Sequence, residues 1–187
     1  MFMMFNRIVV ILFLVLISVR SIAQNNEPQK ISSQVLQQIA SEVKQMIPAY
    51  KASLEKQALN TDQIAFSIDT FYIEQVLQKR INLDYTTAGM NTAILDMAAS
   101  YDKLLNKYYN KLLNLLQAQD KSVLITAQKA WLQFRDSESK LMRALSKDVY
   151  SGGGTFQSNI VNNAYANLVV TRCIELFNYY DTLEKSN

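Results

Sequence analysis

Three of the four glycines in this chain stand side by side as Gly152-Gly153-Gly154, and the only prolines are Pro28 and Pro48. Glycine and proline are the residues that most readily bend or stop a backbone, so a 187-residue chain this poor in them has little means of making frequent tight turns. The intervening stretches are rich in Leu, Gln, Lys and Ala, which lose little side-chain freedom in a helix. The expected class is therefore all-α. One flexible loop is expected at the glycine triplet, where left-handed backbone angles come without steric cost. The length suits one domain, or one domain with a small N-terminal addition, and is sufficient to bury a sizeable core.

Apolar spacing predicts the elements. Ile31, Val35, Ile39, Val43, Met46, Tyr50 and Leu54 recur at three- and four-residue steps, an amphipathic helix expected to kink or break near Pro48. The chain should turn around Asn60 to Asp62. Ile64, Phe66 and Ile68 then alternate, which suggests a short extended piece before Asp69 or Thr70 caps a helix through Ile73, Val76, Leu77 and Ile81. Thr86-Thr87-Ala88-Gly89 marks the next boundary. Beyond it Ile94, Met97, Tyr101, Leu104, Leu105, Tyr108, Leu112 and Leu115 form one stripe. Asp120 or Ser122 should cap the following helix, with Leu124, Ala127, Trp131, Phe134, Leu141 and Leu145 facing inward. Val161, Tyr165, Leu168, Val169, Cys173, Leu176 and Tyr180 make the stripe of the last helix. The predicted architecture is an antiparallel three-helix C-terminal bundle from about Met90 to Leu183, with additional N-terminal helices packed against or beside it.

The first 23 residues read as a signal peptide: Arg7, the apolar run Ile8 to Val19, and Ser21-Ile22-Ala23 as the cleavage site. The run is too short to span a bilayer comfortably, so membrane contact is expected only transiently during export; an uncleaved anchor is the alternative. Cleavage after Ala23 removes Arg7 and Arg20, leaving 19 − 2 = 17 basic residues against 16 acidic ones. A chain so nearly neutral, without a basic stripe, gives no electrostatic case for nucleic acid. Residues 24–30 are polar and expected to be a disordered leader within an N-terminal helical extension, 24–88, ahead of the main helical domain, 89–184.

Composition narrows the chemistry. Cys173 is the only cysteine and there is no histidine, so no intrachain disulfide can form and no metal site of the His/Cys type can be built. No Asp-rich calcium loop appears, and no cofactor is expected. Asp102, Asn106, Arg135, Asp136 and Arg172 are expected to form a buried ion-pair and amide network, since Arg and carboxylates need partners once removed from water. A ligand-binding or catalytic pair, Asp102 with Glu138 or Asp136, is the alternative. No histidine or evident nucleophile accompanies these carboxylates and no Gly-x-Ser-x-Gly elbow exists, so an enzyme is not expected. Trp131 is expected in the core beside Phe134, with an interface hot spot as the other reading. Cys173 should be a small buried hydrophobe. Lys103, Lys107, Lys111, Lys121 and Lys129 are expected on solvated faces. The segment Tyr150, Ser151, Gly152, Gly153, Gly154, Thr155 and Phe156 lacks the strand and lysine of a phosphate cradle. It is either a plain connector or a binding loop that mixes aromatic anchors with adaptable polar groups.

Several of these residues fall into a pattern. Thr87-Ala88-Gly89-Met90-Asn91, then Tyr101-Asp102, Leu105-Asn106 and Tyr109, and then Gln128, Trp131, Phe134, Arg135 and Asp136 resemble two helices of the LprI-like lysozyme-inhibitor family, small helical proteins of the bacterial envelope. Tyr150 to Thr155 and Arg172 are similar to that family's glycine-containing segment and third-helix arginine. The resemblance runs from about Ile81 to Tyr180. It implies a periplasmic or secreted, non-enzymatic binding protein whose partner is lysozyme or another envelope protein. It also implies Ala93, Ser139 and Ala164 at positions where members often carry cysteines, so the helices here must hold by packing alone. If lysozyme or another cell-wall glycosidase is inhibited, Tyr150 to Phe156 should enter its cleft. The other reading is an envelope adaptor that docks a partner through its amphipathic N-terminal helices. A protruding loop favours the first, and an exposed apolar stripe on the Ile31 to Leu54 helix the second.

Overall fold

The computed structural model describes residues 28–185, and among them it contains six helices and no strand, as the all-α expectation requires. They are α1 (Ser33–Leu54), α2 (Thr61–Leu83), α3 (Thr87–Leu115), α4 (Ala118–Leu145), the short α5 (Asp148–Ser151) and α6 (Phe156–Glu184). The signal peptide and the first residues of the leader lie outside the described residues.

Ser32 caps α1 by accepting a hydrogen bond from the Val35 amide at 3.3 Å. The helix is not broken at Pro48; it continues to Leu54. Val43 before the proline and Leu54 after it are both buried, and that packing on either side holds the turns together where one backbone hydrogen bond is missing. There is no extended piece at Ile64 to Ile68 either, because α2 starts at Thr61. Asn60 accepts from the Gln63 amide at 2.8 Å and the Gln63 side chain accepts from the Asn60 amide at 3.0 Å, a reciprocal capping box. The apparent alternation arises because α2 is sandwiched. Tyr50 of α1 stacks on Phe71 with ring centroids 4.2 Å apart, while Phe66 stacks on Phe177 of α6 at 3.9 Å. A helix with neighbours on opposite sides has no single apolar stripe, so its period is hidden.

At α3, Thr86 accepts from the Gly89 amide at 3.0 Å and donates to Asp84 at 2.6 Å. Gly89 therefore sits in the first turn of the helix. A Cβ there would lie 2.2 Å from the Asp84 carboxyl carbon, so a larger residue would have to displace the Asp84 side chain that bonds Thr86.

The centre of the molecule is α3 against α6, with α2 laid across them. Asn91 bonds Ser158 at one end and Lys111 approaches Tyr180 at the other, so α3 and α6 run parallel. Ala98 and Ala166, both fully buried, let the backbones come close beside Ile94. Further along, Tyr108, Phe66, Phe177 and Tyr180 form a connected aromatic cluster with ring separations of 3.9–5.7 Å. Contacts of this kind add about 0.5–1.5 kcal/mol each beyond simple burial. Cys173 is fully buried within the cluster, and burial pushes its thiol up to about 12, the behaviour of an inert core residue.

Helix α4 folds back antiparallel to α3 through Leu116 and Gln117, as expected from the short link, but it is turned differently from the apolar reading. It begins at Ala118 with Gln117 as N-cap residue rather than at Asp120 or Ser122. Leu124 is buried, yet Phe134 is 52% exposed and Leu141 and Leu145 are each 50% exposed. The inward face instead runs through Leu124, Gln128, Trp131, Arg135 and Ser139, at the three- and four-residue steps of one helix face. Two of the five lysines expected in solvent are also engaged. Lys107 pairs with Asp69 at 2.7 Å and Lys111 pairs with Asp62, fastening α3 to α2.

Candidate functional site

The polar residues singled out in sequence converge on a groove between α3 and α4. Asp102, Asn106 and Tyr109 recur on one face of α3; Gln128 and Arg135 project from α4; the buried side chain of Leu105 forms the floor. The groove has a volume of about 330 Å³. Ile125, Lys129 and Leu132 complete its walls. Sequence reasoning assigned Lys129 to a solvated face and passed over Ile125 and Leu132, although each of these two lies three or four residues from Gln128 or Arg135 on the same helix face, a signal that could have identified them.

The lining is braced from outside. Asn106 donates to the Asp102 carbonyl at 2.8 Å and to its carboxylate at 3.2 Å. Arg135 donates through Nε and a terminal nitrogen to Asp136, at 2.9 and 2.8 Å. Its guanidinium lies over the Trp131 ring, 5.4 Å from the centroid. Arg172 from α6 lies over the same ring at 6.0 Å and donates to the Gln128 carbonyl oxygen at 3.0 Å, while pairing with Glu175 at 3.0 Å. That bond fixes the orientation of the Gln128 amide, since an arginine can only donate.

The expected network is thus present but differs in two respects. It forms two halves, Arg135 with Asp136 and Arg172 with Gln128, joined through Trp131. Nor is it buried as a whole: the Arg135 and Arg172 side chains are 18% and 11% exposed, against 42% for Asp102 and 59% for Asp136. The reason is that α4 meets the bundle through its polar face and keeps the carboxylates at the rim. Trp131 is only partly buried, an aromatic plate beneath two cations rather than a residue of the deep core. Phe134 points away from the groove. Asp136 is occupied by Arg135 and so is not free to work with Asp102 as an acid–base pair.

The glycine segment forms a second feature. Gly152, Gly153 and Gly154 have φ of 76°, 79° and 100°, angles that side chains disfavour. Gly152 ends α5, its amide donating to the Asp148 carbonyl at 3.0 Å. The Ser151 hydroxyl accepts from the Gly153 amide at 3.1 Å and donates back to the Ser146 carbonyl at 3.0 Å, which closes the loop on itself. Thr155 precedes α6 without a side-chain cap. Val149, Tyr150 and Phe156 are 78%, 70% and 58% exposed, so the turn presents large apolar side chains to solvent.

At the positions where the family resemblance implies cysteines, Ala93 and Ser139 are buried and Ala164 is half-buried. The Ser139 hydroxyl donates to the Arg135 carbonyl at 2.7 Å. No cluster of His, Cys, Asp or Glu suited to a metal ion occurs among the described residues, and no helix among them is long and apolar enough to cross a membrane.

Fold and site together define a small all-helical domain with a braced polar groove and an exposed aromatic loop. The chain belongs to the lysozyme inhibitor LprI family, whose model matches residues 82–176, just over half of its length. No curated protein and no solved structure matches it. The matched region begins at the end of α2 and closes at Leu176 in α6.

Proposed function

We propose that this protein is an exported, non-enzymatic binding protein that inhibits lysozyme or another cell-wall glycosidase by inserting the Tyr150–Phe156 loop into the enzyme's cleft. The observation that supports this reading is the loop itself. Three left-handed glycines give a thin backbone able to approach a partner closely, and Tyr150 and Phe156 flank it with exposed contact area. Such a loop, held by its own Ser151 hydrogen bonds, loses little further freedom on binding. Family membership supplies the class of partner.

The adaptor reading is less favoured. Ile39, Val43 and Leu54 of α1 are buried and Tyr50 stacks on Phe71, so the apolar stripe that would dock a partner is largely covered by α2. The short apolar run of residues 8–19 and the Ser21-Ile22-Ala23 site support export, with a processed chain starting near Gln24. The test is a titration of lysozyme turnover with the secreted protein, its N-terminus established by sequencing. A dose-dependent loss of turnover by a chain starting near Gln24 is expected. Intact chains retained in the membrane would oppose the export reading, and full enzyme turnover at excess protein would oppose inhibition.

A further inference from the structure

We propose that the α3–α4 groove is a binding site for a neutral saccharide. It is built on different elements from the loop and does not depend on the loop's role. Its volume of about 330 Å³ falls within the size range of small-ligand sites.

Hydrogen-bonding capacity is left over inside it. Gln128 is 9% exposed with its side-chain carbonyl oxygen taken by Arg172, and no hydrogen bond from its amide N–H groups occurs among the described residues. The Tyr109 hydroxyl and the Asn106 carbonyl oxygen are likewise unpaired among those residues. Arg135 stands 3.9 Å from Asp102, too far for a direct hydrogen bond. Asn106 engages the other oxygen of the carboxylate, while Asp136 and Trp131 engage the guanidinium on its far side. A hydroxyl group placed between them would donate to Asp102 and accept from Arg135. Neighbouring hydroxyls of a sugar present this alternation of donor and acceptor.

Charge and shape point the same way. Asp102, Arg135 and Lys129 are the charged residues of the lining, and Asp136 at the rim pairs with Arg135, so little net charge is left with which to select an ion. Leu105, Ile125 and Leu132 offer aliphatic surface to the C–H face of a sugar ring.

Trp131 is the only tryptophan, and Arg135 links it to the groove, so its emission should report occupancy. The experiment titrates the full processed chain with cellotriose and with tri-N-acetylchitotriose, following Trp131 emission and heat in parallel. Saturable binding of either trisaccharide is expected, with an affinity that changes less than about twofold between ~0.05 and ~0.5 M salt because no ion pair is involved. Asp102→Ala should weaken it about tenfold, and Tyr109→Phe, which removes only a hydroxyl group, about threefold. Absence of saturable binding to both trisaccharides would overturn the proposal. So would affinity left unchanged by both substitutions, or binding abolished by salt, which would mark a charge-driven ligand instead.

Discussion

Trp131 is tied to two helices through its cationic neighbours: Arg135 comes from its own α4, Arg172 from α6, and both guanidinium groups lie over the ring. Replacing the indole would remove partial burial and two cation–π contacts, each about 0.5–1 kcal/mol. Trp131→Ala should therefore destabilise the fold by about 2 kcal/mol, less than the 3–5 kcal/mol typical of a fully buried large aromatic. The denaturant midpoint measures this; an unchanged midpoint would mean that the ring contributes nothing to holding α4. At this scale the sequence was informative about identity and poor on exposure. Asp102, Asn106 and Arg135 were expected together with Asp136 and Arg172, and Gln128 entered only through the family pattern; Asp102, Asn106, Gln128 and Arg135 line one groove. Their exposure was not legible, because the apolar residues of α4, Phe134, Leu141 and Leu145, suggested an inward face that is in fact turned to solvent. The glycine triplet is the opposite case. All three residues adopt the left-handed angles that the composition implied, since few other residues tolerate them.

Among the elements, α2 was the least legible and has a central structural role. Its Phe66 completes the aromatic cluster, and Asp62 forms a clasp with Lys111 of α3 and the Tyr180 hydroxyl of α6. Periodicity could not reveal a helix covered on opposite sides, whereas α3 and α6, each with a clear buried stripe, were read almost residue by residue. The clasp has a pH signature. Partial burial tends to raise the Asp62 carboxyl, but hydrogen bonds from Lys111 and Tyr180, with the lysine charge, outweigh it and hold the group below its usual range. A depressed carboxyl contributes stability that is fully present above the unfolded value of about 3.9 and is lost as pH falls through the folded value. Urea midpoints should thus be steady near neutrality and fall below about pH 4, with a shallower fall in Asp62→Asn. An identical acid limb in the variant would show that the clasp does not contribute.

For the molecule as a whole, the family match starts at residue 82, yet the folded core includes α2, which begins at Thr61. The family region therefore supplies the groove and loop while the preceding helices complete the packing around Tyr108 and Phe177. Ala93 and Ser139 are buried at positions where the family resemblance implies cysteines, and the helices are held by aromatic contacts and by ion pairs such as Arg80 with Asp96 at 2.7 Å. A rigid bundle of this kind leaves the loop as the most exposed apolar projection near α6, and the central claim is that this projection meets the enzyme. Its most direct test compares lysozyme turnover in titrations with the wild-type chain and with a variant in which Gly152, Gly153 and Gly154 are all alanine. The triple variant keeps its helices, as circular dichroism should verify, but must strain or reshape the turn. Inhibition by wild type, weakened about tenfold or more in the variant, is the predicted result. Equal inhibition by the two proteins, or none by wild type, would contradict the claim.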